Sequence, residues 1–514
     1  MTLAWMTRSR SGLLAAVITM LTAQALGCRA RPQPVLFPVG PPIPEATVQE
    51  YVSQGDSLFP GMHLYAWRRA EDAYARALTL APRQEIRDKL SLTRLLRMTR
   101  EIDEDMACPT MAADIDFICG QTGDARSQAL CDLAREYASN SATAARKAKT
   151  TDPSVFGVEE STLNAYVYTL YSRTFATDPG TDSLRKRLAE TNRDTPLFAY
   201  LNFPTGPALA RILQRFPDFA EAWEYAAEMN FQARAIKEAR TAFARALELI
   251  PDYTRAINGL ANIYFFTLED YANALLTYEK ALRLDPQNSA ALFGKGASLH
   301  HLGRYDESDV AMDRMLATDL SRRGRVGADS IRYFRGEGNY YKAHNAYLLK
   351  DPARARTLID EAKRFLPNAE EINYLSGLLY YNADQLDAAK SDMEIAAKGG
   401  SNCYAYHYLG LIALKQKAPG AASQFLTSGT CLERSLRTLQ DNVRAAAALD
   451  IDAAEKEALR LRMQMKLVAY RDSSAELLQT MIALIRDADL TEDWKKIYLD
   501  TMTDFLAKTR AIKP

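Results

Sequence analysis

The sequence has no excess of either charge and no long block of one sign. Its 514 residues contain 64 Lys and Arg against 64 Asp and Glu. A protein that binds a polyanion needs clustered basic residues to displace its counterions, so we expect no nucleic-acid binding. Glycine and proline are also modest, at 24 and 21 residues, while 47% of the chain is hydrophobic. This composition excludes a disordered chain and predicts a core-forming protein.

Residues typical of catalytic and metal sites are scarce. Only five histidines occur, and none has the spacing of a zinc site. The nucleophile-elbow G-x-S-x-G, the P-loop and a dinucleotide-binding G-x-G-x-x-G after a strand are absent. His300 and His301 fall near the end of a predicted helix, where we expect them to be solvated rather than to bind a metal. We therefore predict no enzyme activity, no metal and no cofactor.

The beginning of the chain has the layout of an export signal. Basic residues precede the apolar run 12–21, which is too short to cross a bilayer comfortably, and Gly27 precedes Cys28. This arrangement resembles a bacterial lipobox, whose cysteine is lipidated and becomes the mature N-terminus. Ordinary cleavage after Ala25 remains the alternative, because residues 23–25 read Ala-Gln-Ala.

A proline-rich segment follows the signal. Residues 28–45 hold six prolines, which predicts an extended, semi-rigid tether. The resemblance to lipoproteins implies that a lipid on Cys28 is the chain's only membrane attachment. Arg29 follows the cysteine where inner-membrane lipoproteins carry Asp, so the resemblance favours an exported protein of the outer membrane that faces the periplasm.

A repeat of about 34 residues organises the middle of the chain. In the clearest copy, which starts at Ala220, Trp223 is position 4, Ala239 is position 20 and Ala246 is position 27. Small residues at such positions let two antiparallel helices approach closely, while large residues fill the seam between them. The pattern, largely repeated in six copies, resembles the tetratricopeptide repeat (TPR). That resemblance implies an all-α, right-handed superhelical solenoid of antiparallel helix pairs without significant β-sheet.

The register of the repeats divides the chain into eight segments. The C-terminal helices are expected to cap the solenoid, because a terminal repeat must cover its exposed apolar face. Within residues 107–215, helices are expected near 125–148, 160–175 and 183–191. The segments are a signal peptide 1–27, a Pro-rich tether 28–45, a TPR-like hairpin with a long helix 46–106, a helical region with degenerate repeats 107–215, TPR copies 216–322, a linker 323–335, TPR copies 336–437, and capping helices 438–514.

The cysteines indicate an oxidising compartment. Cys403 and Cys431 are positions 1 and 29 of the sixth copy, and these ends of an antiparallel helical hairpin are neighbours. We predict a disulfide between them, which is typical of an exported protein. Cys108, Cys119 and Cys131 leave one thiol over, and Cys119 could pair with either of the others.

The TPR resemblance also names candidate binding residues. In that family, positions 2, 5, 9 and 12 of the first helix line the concave face of the superhelix. Residues 331–410 hold 10 of the 26 tyrosines, so the C-terminal half is the favoured ligand face. The resulting concave-face candidates are Glu224, Glu228, Phe231, Asn258, Asn262, Phe265, Phe293, Tyr340, His344, Tyr347, Tyr374, Tyr381, Tyr404 and His407.

Two classes of function follow from this reading. The favoured one is an outer-membrane-anchored scaffold that binds other envelope proteins, or peptide segments of them, in an assembly or export system. The alternative is a lipoprotein of a transport system that binds a glycan or a small molecule on the concave aromatic face. A closed pocket ringed by tyrosine favours the alternative, whereas an open apolar strip favours the scaffold. The oligomeric state stays open.

Overall fold

The computed structural model describes residues 48–61, 63–104, 106, 108–120, 124–139, 206–318, 328–488 and 491–513. Within these ranges the regular structure is helical and contains no strand. The predicted all-α solenoid is confirmed. The signal peptide, the tether, Cys28 and the helices expected near 160–175 and 183–191 lie outside the described residues, as do residues 140–148.

Twenty α-helices lie in the described ranges. They are α1 Val48–Leu58, α2 Leu64–Leu80, α3 Gln84–Asp103, α4 Met111–Cys119, α5 Ala125–Ser139, α6 Gly206–Arg215, α7 Ala220–Gln232, α8 Ile236–Leu249, α9 Thr254–Asn262, α10 Tyr271–Leu284, α11 Ser289–His301, α12 Tyr305–Leu316, α13 Ala328–Leu348, α14 Pro352–Phe365, α15 Glu370–Asn382, α16 Leu386–Ala397, α17 Cys403–Lys415, α18 Ala421–Ala447, α19 Ala453–Arg486 and α20 Glu492–Ala511. A 3-10 helix at Phe59–Gly61 joins α1 to α2, and a π-helical turn at Ile263–Thr267 extends α9.

Six antiparallel hairpins form the array, from α7 with α8 to α17 with α18. Small residues set the close approach of their helices. Gly294 in α11 lies against the ring of Tyr278, and Gly410 in α17 lies against the ring of Phe425. A Cβ atom at either glycine would overlap that ring, so the small positions of the sequence pattern are contact points between helices.

Each hairpin turns through a residue with left-handed backbone. A left-handed residue ends a helix in a geometry that satisfies the last carbonyl groups. All six turns share this conformation, although the left-handed residue is glycine in only one of them. The residues are Arg234, Glu269, Gly303, Lys350, Asp384 and Lys417.

Two segment boundaries differ from the sequence-based prediction. The linker 323–335 is helical from Ala328 onward, because Phe334 is buried and the first turns of α13 pack on α14. The boundary at residue 437 falls inside α18, whose apolar face continues through Leu436 and Leu439. After α18 the described ranges hold two further helices, α19 and α20.

The C-terminal cap lies along the array rather than only at its end. Helix α19 has 34 residues and is about 51 Å long at 1.5 Å per residue. Near its start, Glu455 pairs with Arg240 in the first hairpin, and further along, Tyr470 contacts Cys403 in the sixth. The helix therefore connects the two ends of the array.

No helix in the described ranges is long and apolar enough to span a membrane.

Candidate functional site

Most of the concave-face candidates are buried by other parts of the same chain. This corrects the expectation of an open groove along the whole array. Different elements bury different candidates. Helix α3 reaches the first hairpins through Arg255, which pairs with both Glu104 and Glu224. Phe334 and Tyr341 of α13 pack on Phe293, and Leu477 of α19 lies beside the C-terminal candidates. The buried candidates are Glu224, Glu228, Phe231, Asn258, Asn262, Phe265, Phe293, Tyr340, Tyr374 and His407, and the half-buried ones are His344, Tyr347, Tyr381 and Tyr404.

Helix α3 turns a charged face toward the array. Arg97, Arg100, Glu101 and Glu104 follow one another at helical spacing, so they lie on one side of the helix, and all four are buried. Arg97 pairs within this part of the chain with Glu101, with Glu71 and with Asp114. Buried charges need such partners, because an unpaired ion in the interior is strongly destabilising.

The same face of α3 binds the first two hairpins of the array. Glu104 Oε2 accepts a hydrogen bond from Arg255 Nη1 at 2.7 Å and another from the Tyr253 hydroxyl at 2.7 Å. Arg100 Nε donates to Glu221 Oε1 at 3.1 Å. Arg255 also pairs with Glu224 at 3.0 Å. We call these side chains, Arg100, Glu104, Glu221, Glu224 and Arg255, the α3 network.

Glu228 lies beside this network in an environment that favours its neutral form. Burial and the neighbouring Glu224 carboxylate raise the pKa of Glu228 to about 8, and Arg255 opposes the shift. Among the described residues, neither carboxyl oxygen of Glu228 has a hydrogen-bond partner. The carboxyl groups predicted for ligand binding are thus internal to the fold.

The two asparagine candidates bond within and between hairpins. Asn258 Nδ2 donates to Asn288 Oδ1 at 3.2 Å, and Asn288 also caps α11 by accepting from the Ala291 N–H. The Tyr278 hydroxyl donates to Asn262 Oδ1 at 2.6 Å. These amides stabilise the stacking of consecutive hairpins, as buried polar groups in cores commonly do.

The adjacent histidines are packed rather than solvated, which corrects the sequence-based expectation. His301 stacks on Tyr271 with ring centroids 4.3 Å apart, and His300 Nδ1 lies 2.5 Å from Asn345 Oδ1. His344 packs against His300 at 4.9 Å. Burial lowers the pKa of His301 and of His344 to about 3. No group of three His, Cys, Asp or Glu side chains in the described part has an arrangement that could hold a metal ion.

Helices α13, α15, α17 and α19 enclose a cavity of about 110 Å³. Five of the concave-face candidates meet here. Sequence reasoning missed the other five residues, among which Leu477 lies on α19, outside the repeats, where no repeat pattern points to it. We call this space the aromatic cavity, and its lining residues are His344, Tyr347, Leu348, Tyr374, Leu375, Leu378, Tyr404, His407, Tyr408 and Leu477.

The aromatic cavity carries no formal charge near neutral pH. Its lining contains neither Lys, Arg, Asp nor Glu. Burial lowers the pKa of His407 to about 4, so its imidazole is neutral. Burial raises the pKa of Tyr408 to about 12 and raises that of Tyr374 as well, so these phenols keep their protons. Tyr381 lies outside the cavity, where Lys415 Nζ sits 4.4 Å from its ring centre.

Two disulfides lie in the described ranges. The structure brings Cys403 and Cys431 together with their sulfur atoms 2.06 Å apart, and it joins Cys119 to Cys131. Cys119 therefore pairs with the second of the two partners that the sequence left open. Cys108 is buried and takes part in neither disulfide.

The repeats match a known family. The tetratricopeptide-repeat family model matches residues 207–254 and 263–310. The two matches cover α6 to α8 and α10 to the first half of α12, and most of α9 lies between them. These two segments are tetratricopeptide repeats. No curated protein sequence matches the chain.

Several solved structures are similar to part of this chain. PilF of Pseudomonas aeruginosa is 19% identical, over 42% of this chain and 90% of PilF, with a TM-score of 0.36. YrrB, described as a TPR protein with an unusual peptide-binding site, is 19% identical over 42% of this chain and 97% of its own, with a TM-score of 0.28. PilW, described as a type IV pilus biogenesis factor, is 15% identical over 47% and 94%, with a TM-score of 0.32. At these identities the likeness concerns the helical-repeat fold alone.

Proposed function

We propose that this chain is an exported TPR scaffold, anchored in the outer membrane by a lipid on Cys28, that holds other proteins of the cell envelope. The observation that carries the binding role is the array of six stacked hairpins, because a solenoid of this kind presents an extended surface for partner proteins. The disulfides Cys119–Cys131 and Cys403–Cys431 support export, since such bonds persist in oxidising compartments.

Partners are proposed to bind outside the filled concave face. Leu276 is the sixth residue of α10, and Val310 is the sixth residue of α12, one repeat later. Their side chains are 62% and 61% exposed. On α20, Trp494 and Ile497 are exposed on consecutive turns. Trp is among the residues enriched at interface anchors, and Leu276 and Val310 add exposed apolar area on the array itself.

The alternative function, a transport lipoprotein that binds a glycan, has less structural support than the scaffold function. The aromatic cavity measures about 110 Å³ and Leu477 of α19 covers one side of it, whereas sites for drug-sized ligands occupy about 300–1,000 Å³. A chain of sugar units does not fit this space. A scaffold that binds proteins on its outer surface needs no large cavity, so we propose the scaffold function.

The scaffold role is tested by photo-crosslinking in the intact envelope. A photoreactive residue replaces Leu276, Val310 or Trp494 in separate variants. Thr241 provides the matched control, because it is the exposed sixth residue of α8 and polar. A defined envelope protein crosslinked from at least one apolar site and absent at 241 supports the proposal. Crosslinks that are equal at all four sites, or absent from all, contradict it.

The anchoring is tested separately. Cys28→Ala is expected to abolish metabolic labelling with a fatty acid and to release the protein from outer-membrane fractions. Cys108→Ala, which removes a buried thiol outside both disulfides, should leave both unchanged. Labelling that persists in Cys28→Ala contradicts lipidation at that residue, and a wild type that takes up no fatty acid favours cleavage after Ala25.

A further inference from the structure

We propose that the aromatic cavity is a binding site for one uncharged six-membered ring that carries a single hydrogen-bonding group, of which phenol is the simplest example. The site lies between three consecutive first helices of the array and helix α19. It does not depend on the proposed scaffold role, because it requires no partner protein.

The size of the cavity sets the size of the ligand. A single water molecule needs about 10–15 Å³ measured in this way, and an engineered apolar cavity of about 150 Å³ binds benzene. The aromatic cavity, at about 110 Å³, therefore accommodates a group close to one ring in size. It is too large to be explained as a packing defect of one missing methyl group.

The walls determine the chemistry of the ligand. The rings of Tyr347, Tyr374, Tyr404 and Tyr408 provide apolar faces on which another ring can pack, face to edge or offset. No charged side chain lines the cavity, so an ionic group would lose its hydration without gaining a counterion. The cavity thus selects for an uncharged, largely planar group.

One polar atom of the wall has an unmet hydrogen bond. His407 is only 7% exposed, and within the described residues its buried Nδ1 has no hydrogen-bond partner. Buried polar atoms are nearly always paired, and because His407 lines the cavity we assign the partner of this nitrogen to the ligand, which reaches it once the imidazole turns toward the cavity. A hydroxyl can both donate and accept, so it can pair with His407 in either imidazole tautomer.

Helix α19 holds the remaining wall in place. Leu477 contributes an apolar side chain to the lining, and one turn earlier Ser473 hydrogen-bonds with the side chain of Tyr404. Tyr404 is itself half-buried at the cavity. The site consequently exists only while α19 is packed on the array, and the pocket is preformed rather than assembled by the ligand.

The experiment compares three ring probes on the mature, full-length protein by isothermal titration calorimetry. Phenol is expected to bind at one site per chain. Benzene should bind about fivefold more weakly, since it lacks the hydrogen bond, and benzylammonium should show no saturable binding. Absence of saturable phenol binding overturns the proposal, as does equal binding of phenol and benzene or stronger binding of the cation.

Variants then locate the site. His407→Phe should remove the preference for phenol over benzene while leaving benzene binding unchanged. Leu378→Phe adds volume to the lining and should abolish binding of both probes. Tyr406→Phe is the matched control, because Tyr406 lies on the same helix but bonds to the Ala397 carbonyl outside the cavity. Phenol binding that survives both cavity variants overturns the assignment, and the ring-probe comparison stands even if a variant fails to fold.

The ring can come from a free compound or from a tyrosine side chain of a polypeptide. The peptide Gly-Tyr-Gly, blocked at both ends, distinguishes these sources. Competition with phenol assigns the site to an inserted side chain, and phenol binding without competition assigns it to a free compound.

Discussion

Glu104, the residue that ends α3, hydrogen-bonds with Arg255 in the first turn of α9 at 2.7 Å, across 151 residues of sequence. Both side chains are buried. Arg100 lies one turn earlier on α3 and pairs with the same carboxyl group at 3.0 Å. The N-terminal helices are therefore joined to the repeat array by internal ion pairs as well as by apolar packing.

Breaking this pair should destabilise the chain strongly. Glu104→Gln removes the carboxylate that Arg100 and Arg255 share, although Arg255 keeps Glu224 and Arg100 keeps Glu221. We expect a loss of about 3 kcal/mol in the free energy of unfolding, the low end of the range for breaking a buried pair. The measurement is urea denaturation followed by circular dichroism. Arg245→Ala, which breaks an exposed pair with Glu248, is the control and should leave the curve unchanged.

Removing both partners separates pairing from burial. The double variant Glu104→Gln/Arg255→Met should be less destabilised than the sum of the single variants, because each single variant already loses the interaction between the two residues and the double variant loses it only once. Additive effects would contradict a direct interaction between the two residues.

Glu228 gives the stability of the fold a dependence on pH. Its pKa is about 8 in the folded chain against an ordinary 4.5, so the folded state keeps a proton that the unfolded state releases. The stabilisation is complete below pH 4.5 and is lost as the pH rises through about 8. Glu224, which raises this pKa, and Arg255, which lowers it, are the charged groups that face Glu228.

The test is Glu228→Gln, which is neutral at every pH. Its unfolding free energy relative to wild type should increase between pH 5 and 8, because only the wild type loses the contribution of the protonated Glu228. Glu238→Gln on the exposed side of α8 should run parallel to wild type. Parallel curves for Glu228→Gln as well would show that Glu228 titrates normally.

Cysteine reactivity should follow the structure. In the mature protein without reductant, alkylation is expected to miss the two disulfides and to reach Cys108 only after denaturation, because that thiol is buried. Peptide mass mapping checks the assignment. Alkylation of Cys119 or Cys403 under these conditions would contradict the pairing.

The hairpin contacts predict the effect of one added methyl group. Gly294→Ala must displace the ring of Tyr278, whose hydroxyl bonds to Asn262, and we expect a lower thermal midpoint. Gly206→Ala at the start of α6 meets nothing within 4 Å and should be neutral or slightly stabilising. Equal effects of the two substitutions would mean that Gly294 is not at a tight contact.

The repeat array is predictable from sequence because its contacts are local. Four helices begin at the first residue of a predicted repeat copy. They are α7 at Ala220, α11 at Ser289, α15 at Glu370 and α17 at Cys403. Each of these helices packs mainly on its neighbours in the chain, so a period of about 34 residues carries the information.

What covers the array is not predictable in the same way. Arg100 and Glu104 read in the sequence as an ordinary solvated helix face, and only their distant partners Glu221 and Arg255 make that face internal. Leu477 likewise has no repeat register that would place it at the aromatic cavity. Pattern reasoning therefore named first-helix positions but not their occupation by α3 and α19.

The central claim is that α19 packs along the array and closes its concave side. Lys466 on α19 pairs with Glu269 in the second hairpin at 2.9 Å, so a zero-length carbodiimide crosslinker should join the amine and the carboxylate as an amide, seen as a crosslinked peptide by mass spectrometry. The variant Lys466→Met/Met465→Lys is the control, because it moves the amine to the adjacent residue, which is 73% exposed. A bridge in the wild type and none in the control is the expected result. No bridge in either, or equal bridging in both, would contradict the packing of α19 and with it the account of the filled concave face.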